Sequence, residues 1–413
     1  LDLYLVPGAP IIPVKVITLK LPWGSVVRSL KASATYVKLE GAYRVLPSPM
    51  PHRLGEPSRT SVFVEDEGVY RSSEPYPSSP VVYEVKRGLD PVTLERVTYL
   101  IIRVFPLRVV PAKGMALYAE RVSIKVEYSP ASQPAGGQLL DTVIITDEAL
   151  LDAAVALAEW KNSTGHAARV YTVSWVEANF PGRDAPEKIR NFINYTVNEY
   201  GVKYVILLGD AELVPVRRVY SQEFESLADN NPYIECDLYY ADLDGTWDTD
   251  GDGVYGEMED YVDGFPDVLI GRLPASTLDE AFAIVEKLKQ FSPLNAWLRR
   301  ALLLGTITFD DPLVPEGEIV NDVFEEEHLP ANFSWTKLYE SIGNLSVDNV
   351  KAEFNKGYGV VNFAGHGNVD LWCLGSGGLF TEADVYELAN GYNASIVATM
   401  ACLTADFADT DVS

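Results

Sequence analysis

At Ser129–Gly137 (SPASQPAGG) the sequence changes character. Before it, short β-branched or aromatic runs are set apart by Pro and Gly, as at Pro47–Pro51 and Pro75–Pro80. The runs are Val14–Leu21, Ala34–Leu39, Ser61–Glu65, Val81–Val85, Thr98–Val104 and Arg121–Tyr128. That spacing predicts a small antiparallel sandwich over residues 1–130. The uncharged Pro/Ser/Gly/Ala stretch then reads as a linker, residues 131–138. Beyond it strands and helices alternate. Thr142–Thr146 reads as a strand, Asp147–Asn162 as a helix capped by Asp147, Ala168–Val173 as a strand and Ala185–Tyr200 as a helix. Tyr204–Leu208, Val268–Ile270 and the helix Leu278–Phe291 continue the pattern to residue 296. A second α/β stretch, 297–413, offers strands Ala301–Gly305, Trp335–Leu338, Gly359–Phe363 and Ser395–Met400. Its helices are Glu316–Glu327, Val347–Phe354 and Glu382–Ala389. Such alternation predicts an α/β fold: an open, mostly parallel sheet with helices on both faces, preceded by a separate all-β sandwich domain.

The 413 residues exceed what one hydrophobic core usually organises, which also argues for several domains. Lys and Arg number 33 against 59 Asp and Glu, a net charge of −26. A field of that sign repels phosphate backbones and anionic lipid, so neither nucleic acid nor a membrane surface is an expected partner. Calcium and basic peptides suit it better. Apolar runs such as Tyr204–Leu208 and Ala301–Leu304 are far below the ~20 residues of a membrane-spanning helix. Three cysteines make no disulfide framework. The start at Leu1, without a leader, reads as a processed mature chain. Sequons at Asn162, Asn194, Asn332, Asn344 and Asn393 fit a secreted or cell-surface protein.

Two strand ends carry candidate chemistry. Val360–Phe363 runs into Ala364-Gly365-His366-Gly367, and Ser395–Met400 into Ala401-Cys402, with one predicted helix between. In a βαβ unit both side chains then stand at the carboxyl edge of one sheet, where open α/β sheets place their sites. A free thiol is only a few per cent thiolate at neutral pH, and an adjacent imidazole can take its proton and later protonate a leaving amine. Glycines on both sides of His366 allow close backbone approach, and the N–H groups of Gly367 and Cys402 could bind an oxyanion. Without further support, a buried inert cysteine and a structural histidine explain the same residues. His52, His166 and His328 have no partners at ligand spacing, so zinc is not expected.

Asp248-Thr-Asp250-Gly-Asp252-Gly253, with Glu259 six residues on, matches D-x-D-x-D-G-x₅-E. Alternate carboxylates, the backbone carbonyl of Val254 at the seventh position and a bidentate Glu259 at the twelfth could ring one Ca²⁺. Asp237, Asp242, Asp244, Asp260, Asp263 and Asp267 crowd around it, with Asp242 and Asp244 as further candidate ligands. No clear helix flanks the loop, so it is not a true EF-hand. A structural Ca²⁺ is expected, against a solvated acidic loop.

The stretch VVNFAGHGNVDLW (Val360–Trp372) followed by MACLTADF (Met400–Phe407) resembles the gingipain family of cysteine peptidases, which are similar to caspases and legumains. AEWKNSTG (Ala158–Gly165), YVILLGDAELVPV (Tyr204–Val216) and DVLIGRLP (Asp267–Pro274) resemble it too, in the same order. The resemblance implies that Cys402 is the nucleophile and His366 the general base and acid. A third, carboxylate member is implied in the loop Thr306–Asp311. There the best-aligned position holds Thr306 or Ile307, with Asp310 or Asp311 as substitutes. It implies Glu318 at the floor of a pocket for a basic residue before the cut, although Glu316 and Glu318 also suit the first turn of a helix on dipole grounds. Trp372 could wall that pocket or simply sit in the core.

The N-terminal sandwich resembles the propeptide domain of the same family. In such zymogens a basic loop residue can block the pocket; Arg59, Arg71, Lys86 and Arg87 are candidates. Cys236 and Cys373 could pair or stay free. The expected protein is a secreted, calcium-stabilised cysteine endopeptidase with its own propeptide as intramolecular inhibitor, acting on proteins or peptides. A non-catalytic calcium-binding adhesion protein and a transpeptidase are the competing readings. The end of the chain 11 residues after Cys402, where an open sheet would normally continue with another helix and strand, suggests a fragment, a cleaved chain or a further C-terminal piece.

Overall fold

A computed structural model describes residues 2–49, 63–130, 140–221, 232–291, 295–310, 313–404 and 407–408. The chain divides into two compact units. One comprises Leu1–Leu139, Arg190–Tyr204 and Arg217–Ile270; the other comprises Leu140–Ile189, Val205–Val216 and Gly271–Ser413.

The first unit contains the expected sandwich. One sheet orders its strands Asp2–Tyr4, Ile12–Pro22, Arg96–Val104, Val81–Leu89; the other orders Val26–Lys38, Met115–Ser129, Leu107–Val110, all antiparallel. Leu21, Val81, Leu100, Ile102 and Val104 of the first sheet meet Val27, Leu30, Val122, Ile124 and Val126 of the second. Alternation along each strand is what puts one apolar row inward. Ser61–Glu65 is not a strand where it is described: Phe63–Asp66 carries no regular structure, and Asp66 caps the one-turn helix Glu67–Tyr70 by accepting the N–H groups of Gly68 and Val69. The acidic segment 242–267 belongs to the same unit. It meets the sandwich where Leu89 N–H donates to Pro266 O (2.8 Å) and Arg96 Nε to Asp267 O (2.8 Å).

Two open sheets lie beyond the sandwich in the chain. The first orders Leu269–Leu273, Tyr204–Leu208, Thr142–Thr146, Ala168–Thr172. The second orders Ser334–Tyr339, Arg300–Gly305, Val360–Ala364, Ile396–Met400, all parallel. Parallel strands covered on both faces need unbroken apolar runs, and Ala301–Leu304 shows why. Leu302 and Leu304 pack with Val350 and Phe354 of helix Val347–Phe354 on one face. Ala301 and Leu303 pack with Tyr339, Phe324 and Leu329 on the other. The outermost strand differs: Ile396, Val397 and Met400 are all exposed. Helix Glu382–Tyr386 is three residues shorter than expected, with its Thr381–Asp384 capping box in place. Among the described residues no helix is long and apolar enough to cross a membrane.

Candidate active site

The strands leading to His366 and Cys402 are neighbours. Ala364 pairs with Met400 at the last rung, so each candidate side chain stands two residues beyond the same rung. The Gly365 N–H donates to Met400 O (3.1 Å), fastening the two loops together. Gly367 lies against the cysteine loop: a Cβ there would come 2.5 Å from Thr404 Cγ2, 2.9 Å from Ala401 Cβ and 3.0 Å from Cys402 O. Glycine is required by contact at this position. Just past Cys402, Leu403 adopts φ 60°, a left-handed conformation unusual for a bulky residue and concentrated at functional turns. Cys402 and His366 are both exposed, and all three cysteines are free thiols.

His366 Nε2 lies 2.7 Å from the carbonyl oxygen of Thr308. A carbonyl only accepts, so Nε2 carries the hydrogen and Nδ1 is the basic nitrogen of the neutral ring. The group seen on Nε2 is therefore main chain. Asp310, in the two-residue strand Phe309–Asp310, is described for its backbone, and Asp311 lies outside the described residues. Thr306, buried, donates its N–H to Ala364 O (3.1 Å).

His366–Asn368 also forms a hairpin with Leu371–Cys373, and the residue directly opposite His366 is Cys373. Opposed residues of an antiparallel pair share a face, so a second thiol stands on the imidazole's side of the ladder. Sequence reasoning weighed Cys373 only against Cys236; its true neighbour depends on a three-residue hairpin with no strong sequence signal. Cys236 is half-buried, and burial pushes its thiol above the usual range.

Trp372 is partly buried and packs against the core of the second sheet. It stacks on Phe363 (centroids 4.5 Å, 10°) and packs near Phe380 (5.6 Å). Glu318 sits in the first turn of helix Glu316–His328, buried, and accepts the Ser341 N–H (2.8 Å) and hydroxyl (2.6 Å) on its two oxygens. That helix start is wedged against the histidine strand: a Cβ on Gly317 would lie 2.2 Å from Ala364 O.

In the acidic loop the carboxylates converge differently from the linear pattern. Asp248, Asp250 and Asp260 form one cluster with oxygens within 4.8 Å of one another; Asp250, Asp252 and Glu257 form a second. Among the described residues Glu259 joins neither and is exposed on the one-turn helix Met258–Asp260, while Asp260 points inward. It accepts the N–H groups of Thr249 (2.5 Å), Gly256 (2.9 Å) and Glu257 (3.1 Å). Asp242 and Asp244 also stand outside both clusters. Buried Asp242 accepts from Gly264 and Asp244 N–H, and burial pushes its carboxyl up to about 6; Asp244 pairs with Arg87 (3.3 Å). Val254 donates its N–H to Asp252 (2.7 Å). The Arg190 guanidinium donates to the carbonyls of Tyr239, Asp242, Asp244 and Gly245. All-oxygen donor clusters of this kind fit a hard cation such as Ca²⁺.

Of the basic residues expected to block a pocket, Lys86 and Arg87 lie on a strand, not a loop. Lys86 Nζ sits over Phe265 (5.0 Å), and Arg71 pairs with Glu67 (3.1 Å). Arg59 lies outside the described residues.

A sequence model of peptidase family C25 matches residues 137–413. The chain belongs to that family. An uncharacterized protein of Archaeoglobus fulgidus is 26% identical over 275 residues, covering 58% of this chain and 60% of that protein. Gingipain R2 of Porphyromonas gingivalis is 21% identical over 290 residues, covering 68% of this chain and 34% of that protein. The chain thus spans between about a third and three fifths of the length of these curated relatives. A solved complex of the pro- and mature domains of Porphyromonas gingivalis RgpB superposes with TM-score 0.48 at 18% identity, covering 65% of this chain and 56% of that one. Membership in C25 agrees with the parallel α/β sheets and with the ordered motifs from Ala158 to Phe407.

Proposed function

We propose that this C25 chain is the latent form of a secreted or cell-surface cysteine endopeptidase, with Cys402 as nucleophile and His366 as base and acid. The observation that carries the reading is the shared rung Ala364–Met400, which places both residues two positions beyond adjacent parallel strands. His366 takes the thiol proton at Nδ1, and the Cys402 sulfur attacks the scissile carbonyl carbon. N–H groups of Gly367 and Cys402 receive the oxyanion, at roughly 3–4 kcal/mol per donor in hydrolases of this type. Collapse breaks the C–N bond as His366 protonates the amine, leaving a thioester. Water, deprotonated by His366, then hydrolyses it.

Glu318, buried beside the histidine strand, is the residue proposed to select a basic side chain before the cut, with Ser341 released to solvent or substrate as the guanidinium enters. Ca²⁺ is proposed in the loop of Asp248, Asp250, Asp252, Glu257 and Asp260, in a structural role. The sandwich of residues 1–130 is proposed as an inhibitory prodomain, joined by the linker 131–138 to the catalytic part.

Mass-spectrometric footprinting with iodoacetamide tests the nucleophile. Cys402 should be labelled well ahead of Cys236 and Cys373 after cleavage near the linker, with peptidase activity rising at the same time. Full activity of the uncut chain would remove the latency. Preferential labelling of Cys373 would move the nucleophile to the hairpin. Cleavage of Arg, Lys, Asp and Leu reporter peptides at equal rates would remove the role given to Glu318.

A further inference from the structure

The imidazole is held by a peptide carbonyl, which raises the question of what holds that peptide. Glu340 directly follows strand Ser334–Tyr339, and its N–H donates to Gly305 O (3.1 Å), extending the parallel pairing past the sheet's edge. Its carboxylate then accepts the Ile307 N–H (2.9 Å) on one oxygen and the Ser376 N–H (2.8 Å) on the other. Gly375, at φ 62°, lets the backbone close over that carboxylate: a Cβ there would come 2.2 Å from it. On the other side of the loop, Glu316 accepts the Thr308 N–H (3.2 Å). Two carboxylates therefore fix the consecutive amides of Ile307 and Thr308, and Thr308 presents its carbonyl to His366 Nε2 at 2.7 Å.

We infer that Glu340 is the positioning acid of this site, acting on His366 through the Ile307–Thr308 backbone, with Glu316 as its auxiliary. This rests on His366 being the base proposed above. An ionised carboxylate only accepts, so both amides must point to it, and charge-assisted bonds of this type are about twice as strong as neutral ones. The arrangement delivers what a third carboxylate bonded to the ring delivers: a fixed tautomer, a fixed ring plane and nearby negative charge for the imidazolium. It does so through the backbone: Glu316 bonds the peptide next to the one that faces the ring, and Glu340 the peptide before that.

The test is a ¹⁵N NMR measurement of the histidine ring tautomers in the full chain with labelled histidine. Only four histidines are present, and His366→Gln assigns the relevant signal. In Glu340→Gln the His366 ring-nitrogen signals should move from the single Nε2–H tautomer toward a mixture of the two, and further in Glu340→Ala, which loses both bonds. In the linker-cleaved protein kcat on a reporter peptide should fall roughly 10- to 100-fold with KM little changed. Glu316→Gln should shift the same signal in the same direction by less, and it serves as the second measurement should Glu340→Ala not fold. A folded Glu340→Gln with the His366 tautomer signals and kcat both unchanged overturns the role. Failure of the peptidase reading leaves a different trace: no turnover by the parent protein, with the His366 signal still moved by Glu340→Gln.

Discussion

The amide of Gly365 donates to the carbonyl of Met400 across 3.1 Å, one residue before His366 and two before Cys402. This bond and the rung beneath it make the spacing of the two candidate catalytic residues a property of the sheet. Loops attached at both roots in this way tolerate little displacement, and the chemistry proposed for them is correspondingly sensitive to small changes.

Cys402→Ala should lower turnover of the cleaved enzyme by about a thousandfold or more, as removal of a nucleophile does elsewhere. Cys373→Ala, which removes the thiol opposite His366, should leave activity within about threefold. Single-turnover assays on both variants decide between the two sulfurs.

Gly367→Ala should damage catalysis more than stability. The new methyl meets Thr404 Cγ2 at 2.5 Å and Ala401 Cβ at 2.9 Å, so the cysteine loop must move. Misplacement by about an ångström can cost about 100-fold in rate. A fall in kcat with an unchanged melting temperature is the expected pair of results; unchanged kcat refutes the close approach.

Trp372→Ala should destabilise by less than the about 3–5 kcal/mol of a fully buried aromatic, because Trp372 is partly buried and the change deletes the stack on Phe363 and the contact with Phe380. Trp372→Phe should recover most of the stability without altering the preference among reporter peptides. A changed preference at unchanged stability would put Trp372 in the substrate pocket after all.

Calcium should raise the melting temperature and chelator should lower it. Free Ca²⁺ at a hundred times its dissociation constant adds about 2.7 kcal/mol by mass action. Asp250→Asn, at the residue shared by both carboxylate clusters, should abolish the response, whereas Glu259→Gln should keep it. Thermal scans in EDTA and in CaCl₂ check both variants.

Acid should weaken the sandwich through Asp90. Its ion pair with Lys20, together with the N–H groups of Thr93 and Val92, lowers its carboxyl to about 2 from an ordinary value near 4. A carboxyl depressed in the folded state adds stability above the unfolded value, and that stability is lost as pH falls through the folded value. Asp90→Asn should therefore be less stable than the parent at neutral pH and converge with it between about pH 4 and pH 2. Urea titrations at several pH values measure the convergence.

The long periodic elements were legible in the sequence. Ala185–Tyr200, Tyr204–Leu208 and Val347–Phe354 lie where their patterns place them, because helical spacing and unbroken apolar runs report burial directly. The strand ends at His366 and Cys402 were legible for the same reason. What the linear pattern could not carry was the geometry of short pieces. The hairpin that sets Cys373 against His366 is three residues a side. Asp260 displaces Glu259 because one turn of helix reverses which of the neighbouring acids faces the loop. Glu340 carries no motif: its place comes from the strand before it and from two amide partners 33 and 36 residues away in sequence.

Arg190 grips the oxygens of Tyr239, Asp242, Asp244 and Gly245 with a single side chain. A permanent positive charge embedded in the protein therefore shapes the approach to the acidic loop before any mobile ion reaches it. Truncating that one guanidinium would take the donor from two buried carbonyls, those of Tyr239 and Asp242, and weaken the region whatever the metal content of the buffer.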